Sequence, residues 1–276
     1  MIEIGTRLSL EIVKRVPFGF YLKYNRYEIL LPQKYTNDMM KVGDMVEVTL
    51  YTDSNDKPIA TTLVPKAYAN SFASLTVTDV NSVGAFVDLG LEKHILVPKS
   101  MQTNNLQIGN NYIFYLYADK LSNRLIATEK LEKFFDKKFI DLEQNQEVDL
   151  LVYKRTPMGF KVVINNKYTG MIYNNEVFQN IRVGYPSSGY VKLVREDNKI
   201  DISLQPTGID NLISAKESIM NKLEQNRGVL NLHDGSASEQ IKEKLGMSKK
   251  TFKRAIGMLL KDELITLDKE SIQLKK

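Results

Sequence analysis

The chain has 276 residues, 43% apolar and 26% charged, the make-up of a folded chain rather than a disordered one. At ~100–200 residues per domain it holds two domains, or more if they are small. It has no cysteine and two histidines, which excludes disulfides, thiolate catalysis and Cys/His zinc sites and fits a reducing cytoplasm. No apolar run approaches ~18 residues, and Met1-Ile2-Glu3-Ile4-Gly5 lacks the basic-then-apolar start of a signal peptide. A cytoplasmic protein with no membrane partner is therefore expected. Lys+Arg 38 against Asp+Glu 33 leaves +5, which points to a polyanion only where the excess is concentrated.

The first three quarters of the chain repeat. Lys14-Arg15-Val16-Pro17-Phe18-Gly19-Phe20 returns as Lys154-Arg155-Thr156-Pro157-Met158-Gly159-Phe160, and a third copy lies around Asn81-Ser82-Val83-Gly84-Ala85-Phe86. From Gly19, Gly84 and Gly159 an apolar run follows 10 or 11 residues later, and a second glycine (Gly43, Gly109, Gly184) 24 or 25 residues later. An Asn-centred turn (Asn55, Asn123, Asn198) comes 12 or 14 residues after that. Segments such as Leu8–Val13, Tyr112–Tyr117 and Val148–Val152 are β-branched or aromatic and bounded by Gly, Asn, Asp or Pro, which predicts strands. Five fit into each copy of roughly 60–65 residues, and a sheet that small must close to hide its edges. Three five-stranded barrels of OB type are predicted, at residues 1–65, 66–130 and 146–206. The first glycine of each copy is placed to allow a sharp turn or bulge.

Between the second and third copies, Leu131, Phe134, Phe135, Phe139 and Leu142 recur every 3–4 residues. The connector 131–145 therefore reads as an amphipathic helix or an ordered linker. After Pro206 the apolar period becomes helical, with Ile209, Leu212, Ile213, Ile219 and Leu223 in a helix ending near Gly228. Ser236 is placed as the cap of a second helix, with Glu239 three residues on, Ala237, Ile241 and Leu245 along one face and Gly246 as its stop. Ser248 caps a third, and Leu264–Leu267 and Ser271–Leu274 form a two-stranded ribbon. That is the winged helix-turn-helix pattern, an α+β domain over 207–276. At 100° per residue from Lys250, Phe252, Ala255, Ile256 and Leu259 fall at about 140–240°, the core side. Lys253, Arg254, Gly257 and Lys261 gather within about 60° of Lys250 on the opposite side. From Ser236 to Lys276 there are ten Lys+Arg against six Asp+Glu, so most of the net charge lies there.

Val83-Gly84-Ala85-Phe86-Val87-Asp88-Leu89 with Ile95–Ser100, and Gly170–Val177, resemble the ribosomal S1-type RNA-binding OB domain. In that family an aromatic precedes the glycine, another follows it by two residues, and a histidine comes after the later apolar run; the three stack on unpaired bases. The resemblance implies Phe18 and Tyr21 in the first copy, Phe86 in the second, and Lys161 and Tyr173 in the third. Pro32 and Pro98 stand at the histidine position, and Val83 and Met158 at the aromatic one. A basic residue of the family's fifth strand corresponds to Lys57, Arg124 and Lys199. Phe18 and Tyr21 can equally be core, because a one-residue register shift exchanges inside for outside. Three such barrels and a winged helix, with Gly246-Met247-Ser248-Lys249-Lys250-Thr251-Phe252-Lys253-Arg254-Ala255-Ile256-Gly257, resemble the bacterial conserved virulence factor B family. That resemblance implies a cytoplasmic RNA-binding regulator of gene expression.

The expected function is single-stranded RNA binding without catalysis. Bases would stack on Phe18, Tyr21, Phe86 and Tyr173, with Arg124, Lys161, Lys199, Lys250, Lys253, Arg254 and Lys261 as the cations. The acids are scattered where a metal-assisted nuclease would cluster them, and no Gly-x4-Gly-Lys loop is present, so no metal and no cofactor are expected. His94 and His233 stand outside any catalytic motif and are read as structural. The alternatives are a DNA-binding transcriptional regulator using the winged helix and a protein-interaction scaffold. With no dimerisation heptad, a monomer is the simpler expectation.

Overall fold

The computed structural model describes residues 2–120, 122–178, 180–206 and 208–275, the side chains of Ile209 and Asp210 excepted. Each copy of the repeat closes into a five-stranded barrel. The first is β1 (Arg7–Val16), β2 (Gly19–Tyr24), β3 (Tyr27–Pro32), β4 (Met45–Thr52) and β5 (Pro58–Thr61). The second is β6 (Ser71–Val80), β7 (Gly84–Val87), β8 (Ile95–Pro98), β9 (Asn111–Ala118) and β10 (Leu125–Thr128). The third is β11 (Glu147–Thr156), β12 (Gly159–Ile164), β13 (Tyr168–Tyr173), β14 (Pro186–Val194) and β15 (Ile200–Ser203). In all three the strands run one-two-three-five-four and back to one, with the third and fifth parallel.

The two glycines of each copy have separate duties. A Cβ on Gly19, Gly84 or Gly159 would collide with the carbonyl oxygen of Leu31, Val97 or Ile172 on the third strand, so only glycine lets the strands approach. The bulge falls one strand earlier. The register of the first strand slips between Ile12 and Lys14, Val77 and Asp79, and Val152 and Lys154. The second glycine closes it. Gly43, Gly109 and Gly184, at φ of 97°, 83° and 85°, each donate N–H to the carbonyl of Ile12, Val77 or Val152 at 2.8 Å. The later turn is left-handed at Asn123 and Asn198, as the spacing predicts, but in the first copy at Asp56 and not Asn55. There the Asp53 carboxylate accepts the N–H groups of Asn55 and Lys57 (2.8 and 2.9 Å), which leaves Asp56 to make the reversal.

The chain forms two compact units, Met1–Phe135 and Asp136–Lys276. In the first, both barrels contribute to one continuous core. Its C-terminal segment corrects the helical reading of the connector: a single 3-10 turn, Leu131–Lys133, is followed by irregular chain. Phe134 stacks on Tyr115 (centroids 4.0 Å apart) and Phe135 on Phe72 (4.7 Å). Adjacent residues on a helix point about 100° apart, so the aromatic stacking overrides the helical period.

In the second unit, barrel three and the winged helix have separate cores. The winged helix comprises α1 (Gly208–Gln225), β16 (Val229–Leu230), α2 (Ser238–Leu245), α3 (Lys249–Lys261), β17 (Ile265–Leu267) and β18 (Ile272–Leu274). The ribbon is three-stranded, in the order β16-β18-β17; two-residue β16 is too short to show a period. Ser236 does not cap α2, whose N-cap is Ala237. Instead its buried hydroxyl accepts the His233 N–H at 2.8 Å. Ala237 is exposed, and Ile213 stands out from the apolar face of α1. Gly246 ends α2 at φ 63°, and Ser248 caps α3 by accepting the Thr251 N–H at 3.0 Å.

Candidate nucleic-acid interface

The three barrels present the same rim, because the same bulge and the same two glycines build it. The residue before the first glycine sits in the turn between the first two strands, and its carbonyl accepts an N–H from the short 3-10 helix after the third: Gln33 to Phe18, Lys99 to Val83, Asn174 to Met158. That bond pins the turn and leaves the side chain in solvent, with Phe18 55%, Val83 59% and Met158 61% exposed. One residue past the glycine the side chain turns inward, where Phe20 (4%) and Phe160 (6%) are core. Two past it, Tyr21, Phe86 and Lys161 are half-buried on the outer face. Across the ladder Gly19, Gly84 and Gly159 pair with Pro32, Pro98 and Tyr173, which closes the rim on its third side. Phe18 and Tyr21 are thus surface residues, and the register that would bury them is not the one adopted.

The bulge also turns a first-strand lysine onto this outer face, followed by an arginine on the side of the inward phenylalanine. Lys14 and Arg15 in barrel one, and Lys154 and Arg155 in barrel three, are exposed and lie opposite Tyr21 and Phe20, or Lys161 and Phe160. Arg15 stands 5.8 Å from the Phe20 ring and Arg155 5.4 Å from Phe160. In the sequence these pairs stand out as marks of the repeat rather than as site residues, and their recurrence beside the same glycine is the signal that points to the rim.

The fifth-strand cations sit elsewhere than the resemblance implies. Lys57, Arg124 and Lys199 lie in the turn ahead of β5, β10 and β15. Arg124 is ion-paired to Asp56 of barrel one, which also takes Lys93 at 2.9 Å, and these two partners hold the Asp56 carboxyl below the usual carboxylate range, Lys93 the more strongly. Lys199 pairs with Asp197 at 2.6 Å. Tyr173 is tied through its hydroxyl to Arg195 (2.9 Å), which also bonds Asp201 (2.8 Å). His94 meets Thr78 through Nδ1 at 2.9 Å, and His233 Nδ1 accepts the Gly235 N–H at 3.2 Å. Among the described residues no group of three His, Asp or Glu is placed to hold a metal ion, and no helix is long and apolar enough to cross a membrane.

On α3 the two faces separate as the helical wheel predicts. Phe252, Ala255, Ile256 and Leu259 are buried, and Lys250, Lys253, Arg254 and Lys261 are exposed. None of the four cations has a side-chain hydrogen bond or ion pair to a described residue. A Cβ added to Gly257 would meet nothing within 4 Å, so packing does not require glycine there.

A model of the CvfB-like winged helix domain matches residues 217–274, and one of the S1 domain matches 4–63 and 71–130. The chain is 29% identical over 265 residues to the uncharacterized protein YitL of Bacillus subtilis (strain 168), covering 94% of this chain and 89% of that one. It is 28% identical over 282 residues to conserved virulence factor B of Staphylococcus saprophyticus, covering 98% and 94%, and 25% identical to that of Staphylococcus aureus (strain N315), covering 99% and 91%. A crystal structure described as a multidomain protein with nucleic acid binding domains, from Streptococcus pneumoniae, is 26% identical and covers 99% of this chain and 98% of its own, at a TM-score of 0.44.

Proposed function

The chain belongs to the conserved virulence factor B family, and from that premise we propose that it is a cytoplasmic, non-enzymatic regulator of gene expression that binds single-stranded RNA. Its S1 domains support nucleic-acid binding. The observation that carries the single-strand reading is the rim of barrel one, where Phe18 and Tyr21 stand outside the core beside Lys14 and Arg15. Flat aromatic surfaces next to cations suit unstacked bases and their phosphates, each stacked base being worth ~1–3 kcal/mol. A duplex keeps its bases stacked and offers such a rim only backbone. The open cations of α3 add phosphate contacts that carry no sequence information.

A second reading rests on α3 itself. Its basic stripe, centred on a glycine that packing does not demand, is also what a winged helix entering the major groove of duplex DNA would present. Titration of the full chain with labelled single-stranded RNA, single-stranded DNA and duplex DNA of equal length, at two salt concentrations, separates the readings. Single-stranded RNA is expected to bind tightest, with a steep loss at high salt. Preference for the duplex would move the function to α3.

A further inference from the structure

We infer that the chain grips single-stranded nucleic acid at two separate rims, those of barrels one and three, and that barrel two takes no part in the grip. The inference rests on the nucleic-acid reading above and specifies where that activity sits.

It follows from comparing equivalent positions of the three rims, which the shared bulge and glycines bring into register. In barrel one they are Lys14, Arg15, Phe18, Tyr21, Pro32 and Gln33, two cations and no acid. In barrel three they are Lys154, Arg155, Met158, Lys161, Tyr173 and Asn174, three cations and no acid. In barrel two they are Asp79, Val80, Val83, Phe86, Pro98 and Lys99, one acid and one cation. Asp79 takes the place of Lys14 and Lys154, directly across from Phe86. It is exposed, and among the described residues its carboxylate accepts just the N–H of Val80, at 2.8 Å. A phosphate that followed bases onto Phe86 would meet a carboxylate where the other rims offer an ammonium.

Three further cations of barrel two are already engaged. Lys93 and Arg124 are turned to Asp56 of barrel one, and Lys66 to Asp88 at 2.5 Å. By contrast Lys14, Arg15, Lys154 and Arg155 have no ion-pair partner among the described residues. The two charged rims belong to different compact units joined by the chain, so a strand long enough to reach both gains from effective concentration. Linkage of this kind multiplies affinity by roughly 10²–10⁴ over one site.

The test compares two single-stranded RNA probes on the full chain: one of about 6 nucleotides, within a single OB site, and one several times longer. The longer probe is expected to bind about 10²-fold tighter. Replacing the barrel-one pair (Lys14→Gln with Arg15→Gln) or the barrel-three pair (Lys154→Gln with Arg155→Gln) should each remove most of that advantage. Each should flatten the salt slope by about 1.4, at ~0.7 per lost phosphate contact. Val83→Ala with Lys99→Gln should leave both probes bound as before, and Asp79→Lys should strengthen binding of the short one. Thermal melting of every variant confirms that it is folded. The inference is overturned if the barrel-two variant, still folded, weakens binding as much as the other two, or if the long probe keeps its advantage in both basic-pair variants. If the unaltered chain binds neither probe at low salt, it is the nucleic-acid reading itself that fails.

Discussion

The Lys14 ammonium lies 6.0 Å from the centroid of the Tyr21 ring, and the two residues face each other across β1 and β2. Charge and a flat apolar surface are thus offered together, outside the core. Phe18→Ala with Tyr21→Ala should weaken single-stranded RNA binding by about 1–3 kcal/mol for each base that loses its platform. Phe18 is more than half exposed, so the melting temperature should move by only a few degrees. Fluorescence anisotropy and a thermal melt check both halves; unchanged affinity, or a collapse in stability, would contradict the placement of these rings at the interface.

Gly257 separates stability from binding. It lies in the interior of α3 with open space where a Cβ would go, so Gly257→Ala should stabilise the winged helix by about 0.5–1 kcal/mol. If the bare backbone there approaches nucleic acid, the same variant should bind more weakly despite being more stable. Denaturant unfolding and a binding titration on one preparation measure the two effects. Tighter or unchanged binding would take α3 out of close contact.

The cations of α3 should act through phosphates. Lys250, Lys253 and Arg254 are exposed, so changing all three to Gln should leave folding intact. Affinity should fall for all sequences alike, and the salt slope should flatten by up to about 2 units, at ~0.7 per lost contact. An unchanged slope would make the stripe a solvated face and favour a protein partner for the winged helix.

Asp56 joins barrel two to barrel one through Lys93 and Arg124. Asp56→Asn should lower the melting temperature of the first unit modestly, and the deficit should shrink in high salt. Because these partners hold the folded pKa of Asp56 below its ordinary 3.8, its contribution is present above that value and is lost as the pH falls through the folded pKa. The gap between variant and unaltered chain should therefore narrow in acid below about pH 3.8. A gap of the same size at neutral and acid pH would mean that the carboxylate's charge is not what matters.

What the sequence made legible was local. The glycine and asparagine spacing identified the barrels because each residue meets a backbone demand a few residues from its neighbours, and the period of α3 sorted its faces because burial there follows 3.6 residues per turn. Partnerships across the chain left no such trace. Nothing near Asp56 shows that it answers Lys93 and Arg124, some forty and seventy residues on. Nothing in the helical period of Leu131–Leu142 shows that Phe134 and Phe135 stack on Tyr115 and Phe72. The bulge that turns Lys14 and Lys154 onto the rim is a long-range feature as well, since the carbonyl it leaves open is met by a glycine some thirty residues later. The residues of the rim were therefore readable, while their faces and their charge balance came only from the register.

Photo-crosslinking of the full chain to single-stranded RNA, with the attached peptides identified by mass spectrometry, tests most directly the claim that bases lie on the barrel rims. The rim account predicts crosslinks on the β1–β2 segment carrying Phe18 and Tyr21 and on the β12–β13 segment carrying Lys161 and Tyr173, lost when excess unlabelled single strand is added and retained against duplex DNA. Crosslinks confined to α3, or removed equally well by duplex DNA, would contradict it.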